Sequence, residues 1–103
     1  MSLSNAEKKR FRAISHALKP SVIIAQKGLT ENVAQEIHRN LEAHELIKIK
    51  LQVPDRKERR AMIEEICGTH QAESVQSIGH VVLLYRAAKR PDPRLSNLVR
   101  KFI

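Results

Sequence analysis

Cys67 and His70 stand three residues apart, close enough on one helical turn to share a metal, and Glu64-Glu65 sets two carboxylates side by side. Neither pattern completes a site. Structural zinc takes four ligands, and two do not make one. Adjacent carboxylates on a helix point in different directions, so they are not a general acid/base pair. His16, His38, His44 and His80 recur at no metal-ligand spacing, and Cys67 reads as a small buried thiol. No Walker-type phosphate loop is present. Without a nucleophile–base or metal constellation the chain is not expected to be an enzyme, and no cofactor is implied.

The remaining chemistry is cationic. Lys8, Lys9 and Arg12 lie on one predicted helix, with Lys19 after it. Gln26-Lys27-Gly28 forms a short loop before Thr30. A glycine there lets backbone come close to a phosphate, and the helix that follows offers free amides and a positive dipole end. The bland alternative is that Gly28 is only a turn residue. Lys48 and Lys50 occupy the polar side of an alternating strand, where they either contact a ligand or face solvent. Arg56, Lys57, Arg59 and Arg60 open a helix, although cations at that end oppose the dipole. That arrangement suggests a partner anion, or else a solvated face screened by salt. Arg86 begins a basic C-terminal stretch that continues through Lys89, Arg90, Arg94, Arg100 and Lys101.

The totals agree with this emphasis. In 103 residues, 19 Lys and Arg face 11 Asp and Glu, for a net charge of +8. That excess implies a polyanionic partner: nucleic acid, an acidic protein or an anionic membrane. The charge is segregated, with six bases against one acid in residues 1–27 and six against two in residues 48–60. Folding could gather these blocks into one basic face or leave them mixed over the surface. A single cysteine excludes an internal disulfide scaffold. No apolar run approaches the roughly 20 residues of a membrane-spanning helix, and the polar start has no signal-peptide core. A cytoplasmic protein that does not enter a membrane is expected, most simply a monomer.

The elements that must position these cations are legible. Ser4 and Glu7 form a capping box for a helix over residues 4–17, ended ahead of Pro20. Ser21-Val22-Ile23-Ile24-Ala25 is a β-branched run and a predicted strand. Thr30 caps a helix over 31–43 with Val33, Ile37 and Leu41 on its apolar stripe. Ile47, Ile49, Leu51 and Val53 alternate with Lys48, Lys50 and Gln52, which is strand periodicity. Asp55 and Glu58 suggest a second capping box, opening a helix with Met62, Ile63 and Ile66 and closed by Gly68. Residues 75–78 and 81–85 flank Gly79-His80 as a hairpin. Tyr85, Phe11 and Phe102 are read as packing residues. Leu95, Leu98, Val99 and Phe102 fit a short terminal helix. The predicted class is α/β: a two-layer sandwich in the order α-β-α-β-α-β-β with a four-stranded mixed sheet, its first two strands parallel.

In this order, Leu18-Lys19-Pro20, Lys27-Gly28-Leu29-Thr30, His44-Glu45-Leu46-Ile47-Lys48-Ile49-Lys50, Val75-Gln76-Ser77-Ile78-Gly79 and Val82-Leu83-Leu84-Tyr85-Arg86 resemble the signature blocks of the YhbY/CRM-domain family. The likeness runs over roughly residues 3–88. It implies an RNA-binding domain over residues 1–88, similar in fold to the C-terminal domain of translation initiation factor 3, with 89–103 as a basic tail. It also implies structured RNA as the partner, with large-subunit ribosomal RNA or pre-ribosomal particles first among candidates, and a role in ribosome assembly. The charge alone leaves an adaptor for an acidic protein as the alternative. The family carries a GxxG loop after its first strand, and here the first glycine is replaced by Ala25. If that position demands positive φ, alanine is strained there. RNA contacts are expected from Lys8, Lys9, Arg12, Lys19, Gln26, Lys27, Gly28, Thr30, Lys48, Lys50, Arg56, Lys57, Arg59, Arg60 and Arg86. With few aromatics, recognition should rest on phosphate, sugar and shape.

Overall fold

A computed structural model of the chain describes residues 3–25 and 27–98. The Ser4 hydroxyl accepts the Glu7 amide and the Glu7 carboxylate accepts the Ser4 amide, both at 3.1 Å, so the predicted capping box opens α1 (Asn5–Ser15). β1 (Pro20–Ile24) follows. The Thr30 side chain accepts the Val33 amide at 3.2 Å and caps α2 (Glu31–His44). β2 (Leu46–Leu51) leads to α3 (Arg56–His70), and a two-residue turn then joins β3 (Glu73–Ile78) to β4 (Val81–Tyr85). Gly79 supplies positive φ in that turn, at +57°.

The four strands form one sheet in the order β1-β2-β4-β3, with β1 parallel to β2 and the other pairs antiparallel. Period-two alternation sorts β2 onto two faces. Ile47, Ile49 and Leu51 join Val22, Ile24, Val82 and Leu84 beneath Ile37 and Leu41 of α2 and Ile66 of α3. Each such aliphatic side chain contributes roughly 1.5–3 kcal/mol on burial. Leu46 points the other way and packs with Leu83, Val75 and Phe11 of α1. The helix–sheet sandwich therefore holds, with α2 and α3 covering one face and α1 lying across part of the reverse.

Three local expectations change. Gly68 lies inside α3 rather than at its end, and the left-handed C-terminal residue is Gln71, at φ 54°. Asp55 caps α3 by accepting the Lys57 amide at 2.9 Å, not the third amide of a capping box. Residues 93–95 and 97–98 form turns rather than helix, and the rest of the predicted terminal helix lies outside the described residues.

The stretch after β4 is anchored. Glu45, between α2 and β2, is buried, at φ 62° and ψ −45°. Its carboxylate accepts the Ala88 amide at 3.0 Å and the Ser96 hydroxyl at 2.7 Å. Asn97 donates from its amide side chain to the Leu46 carbonyl at 2.6 Å and from its backbone to the His44 carbonyl at 2.9 Å. Residues 88–98 are thereby stitched to the α2–β2 corner.

Candidate nucleic-acid interface

Three connections meet at one end of the sheet. The β1–α2 loop, the β2–α3 loop and the β3–β4 turn lie where Ile24, Leu51, Ile78 and Val81 end or begin their strands. The Gln52 amide donates to the Ile24 carbonyl at 2.7 Å and the Leu51 amide to the His80 carbonyl at 2.6 Å, tying all three together. Arg59 completes the junction. Its Nη1 donates to the Val53 and Pro54 carbonyls at 2.7 and 2.8 Å and lies 3.4 Å from His80 Nε2. α2 and α3 both begin at this pole, so two positive dipole ends share it.

Lys27, Arg56, Lys57 and Arg60 are exposed at this pole, with Lys50 exposed on the reverse face of the sheet one residue before β2 ends. Among the described residues the one ion pair joins Arg86 to Glu42 at 3.0 Å. These five cations therefore have no carboxylate partner, and their fields add at the surface. Gly28 takes φ +70°, and a β-carbon there would sit 3.5 Å from Met62 Cε. The strain of replacing it lies in the backbone, because 3.5 Å is an ordinary contact. Ala25 is not among the residues with positive φ, so alanine meets no strain at the position of the missing family glycine.

On the reverse face, Lys9, Arg12 and Lys48 line an open groove of about 540 Å³ between α1 and the sheet, which reaches the pole at Ile78 and Val81. Lys48 Nζ donates one hydrogen bond to the Leu18 carbonyl at 3.2 Å. The structure thus gathers Lys27, Gly28, Lys50, Arg56, Lys57 and Arg60 at the pole, and Lys9, Arg12 and Lys48 along the groove.

The other expected contacts are engaged within the protein at the pole or lie apart from it. Thr30 is engaged as the cap of α2. Arg59 is held by the carbonyls it braces. Arg86 lies at the opposite end of the sheet, donating to the carbonyls of His70 and His38 and to Glu42. Its side chain is only 15% exposed. Lys19 borders a small cleft with His44 and Asn97, away from the loop pole, and Lys8 is absent from the groove lining. Gln26 lies outside the described residues, as do Arg100 and Lys101 of the basic tail.

Sequence reasoning passed over His80 beside Arg59, Gln76 in the groove, and Glu45 as the anchor of the tail. An irregularity in β3 between Ser74 and Gln76 re-aims Gln76 to pair with Leu83, which simple alternation does not foresee.

Three ionisable groups away from the pole are shifted mainly by burial. Burial pushes the Cys67 thiol up, with Glu73 adding to the shift against a lowering hydrogen bond from the Ser74 backbone. Burial also raises Tyr85, which packs against Phe11 with ring centroids 4.9 Å apart. His70 is lowered by burial and then by Arg86 and His38. Among the described residues no group of three His, Cys, Asp or Glu could hold a metal ion, and no helix is long and apolar enough to cross a membrane.

Fold and charge together define a class: a small α/β domain with a four-stranded mixed sheet and one strongly basic, helix-dipole-reinforced pole. The chain belongs to the CRS1/YhbY (CRM) domain family, whose model matches residues 3–86. This is the family that the sequence blocks resembled. A Pseudomonas aeruginosa protein named a probable RNA-binding protein is 46% identical over 100 residues, covering 97% of this chain and 96% of its own length. A Haemophilus influenzae protein named an RNA-binding protein is 39% identical over 94 residues, covering 91% and 95%. The solution structure of a hypothetical Staphylococcus aureus protein, described as a candidate RNA-binding protein, superposes with a TM-score of 0.75 at 28% identity, over 86% of this chain and 93% of that one.

Proposed function

We propose that this protein is a non-enzymatic, cytoplasmic RNA-binding factor that docks as a monomer on structured ribosomal RNA in precursors of the large subunit. One observation carries the proposal. Among the described residues, Lys27, Lys50, Arg56, Lys57 and Arg60 converge at a single pole without a carboxylate ion-pair partner. Free cations on rigid elements are what phosphate contacts require, and helix N-termini reinforce them. Gly28 lets the backbone approach a phosphate directly. The names of the relatives support RNA over an acidic protein as the polyanion, and the family resemblance supports ribosome assembly as the setting.

Sedimentation of a native extract through sucrose gradients at low and moderate salt tests this. Comigration with large-subunit precursors, lost when salt rises or RNA is digested, is the expected result. Presence only at the top of the gradient at both salts overturns the ribosomal reading. Association with a protein that survives RNase treatment favours the adaptor alternative.

A further inference from the structure

Phosphate binding at the loop pole leaves the reverse face of the sheet unexplained. α1 covers only part of that face, and the groove beside it has a mixed character. Its floor is aliphatic, formed by Leu83 and Val81, with Ile78 at the mouth 65% exposed. Lys9, Arg12 and Lys48 stand along its walls, and among the described residues no acidic one lines it. The Gln76 side chain faces in and makes no hydrogen bond to another described residue. The volume, about 540 Å³, falls within the roughly 300–1,000 Å³ of small-ligand pockets.

A surface made for the outside of a duplex has no use for an apolar floor, since a paired base keeps its faces stacked. A floor of this kind suits a flat apolar face, while surrounding cations suit the charge attached to it. We infer that the groove receives an unpaired nucleotide, such as a bulged or looped-out base, from the RNA held at the loop pole. The base lies on Val81 and Leu83. The Gln76 amide, which both donates and accepts, meets its hydrogen-bonding edge. Lys9 and Arg12 hold the flanking phosphates. Lys48 keeps two of its three ammonium hydrogens for them, because Leu18 takes one. The inference rests on the RNA-binding reading and adds to it a preference for helices interrupted by a single unpaired residue. That preference is the sequence- or shape-selective element that phosphate contacts alone do not supply.

The test compares the full-length protein's affinity for two RNA hairpins that differ only by one bulged nucleotide. The bulged hairpin should bind about tenfold tighter, the scale of one base contact with a hydrogen bond. Gln76→Ala and Ile78→Asp should each remove most of that difference while leaving affinity for the paired hairpin within about twofold for the neutral Gln76→Ala. Ile78 is exposed, so its variant should stay folded. Lys27→Ala, outside the groove, should weaken both hairpins by the same factor.

Equal affinity for the two hairpins, or loss of both in equal measure on Gln76→Ala, overturns the inference and leaves the RNA-binding reading intact. Failure to bind either hairpin removes both. In amide NMR spectra, the bulged hairpin should shift Gln76 and Val81. Shifts there from an acidic, leucine-containing peptide but not from the RNA would assign the groove to a protein segment and overturn the inference.

Discussion

The Ser96 hydroxyl and the Glu45 carboxylate meet at 2.7 Å inside the protein, 51 residues apart in the chain. The same carboxylate holds the Ala88 amide, so a single buried acid fastens the post-β4 segment at two points. Replacing Glu45 with alanine removes the carboxylate that the two donors share and should cost about 2–3 kcal/mol in urea unfolding. Glu45 also sits at φ 62° and ψ −45°, a conformation that strains any β-carbon. Glu45→Gly should therefore be no more destabilising than Glu45→Ala, which reverses the order usual outside positive φ. A clearly worse glycine variant would contradict the strain argument.

Substitutions at the loop glycine and at its missing companion should act for different physical reasons. Gly28→Ala forces a β-carbon into φ +70° and should lower stability by about 1 kcal/mol. Ala25→Gly relieves nothing, because Ala25 is already outside the positive-φ region. It should leave RNA affinity close to that of the parent and lower stability by about 0.5 kcal/mol, because glycine makes the unfolded chain freer. A large affinity gain in Ala25→Gly would show that the family's first glycine has a role beyond backbone conformation.

Two neighbouring arginines should separate binding from folding. With about five phosphates neutralised, log affinity should fall against log salt with a slope of about −3.5 to −4.5. Arg56→Ala should reduce the magnitude of that slope by about 1 without moving the melting temperature. Arg59→Ala removes the donor for the Val53 and Pro54 carbonyls and should cost about 1–2 kcal/mol of stability. A flat salt response in the parent protein would contradict phosphate-driven docking.

His70 should make the fold acid-sensitive. Its folded pKa lies below the ordinary 6.5 because of burial, then Arg86 and His38. The unfolded chain therefore takes up the proton more readily than the folded one. Stability from neutral His70 is complete above about pH 6.5 and is lost as pH falls from there through the lower folded value. His70→Gln should show a smaller drop in melting temperature between pH 7.5 and 5.5 than the parent. Equal drops would place the acid sensitivity elsewhere.

Local signals explain why much of the architecture is legible in the sequence. Ile47, Ile49 and Leu51 read as a one-sided strand because side chains alternate, and they form one side of the main core. Ser4 and Thr30 read as caps because short hydroxyls satisfy free helix amides. Gly79-His80 reads as a hairpin because positive φ is needed there. What the sequence hides depends on distant partners. Arg56 and Arg59 look alike in a basic run, yet only Arg59 is within reach of the Val53 and Pro54 carbonyls. Arg86 looks like the start of a free tail until Glu42 and His38, over forty residues earlier, come beside it. Gly68 looks like a helix stop, but α3 runs on to His70 and packs Cys67 against the main core.

The anchoring of the chain at Glu73 and Leu46 also gives the domain a direction. The Leu3 amide bonds the Glu73 carboxylate at 2.9 Å, and Asn97 is fixed to Leu46, so the described chain enters and leaves beside the strand ends opposite the three loops. A linker, fluorophore or further copy of the domain that continued from Leu3 or Leu98 would depart from the rear. Copies strung in series could then each keep their cationic end free, and the spacing between them would set which separated stretches of one long polyanion could be gripped together.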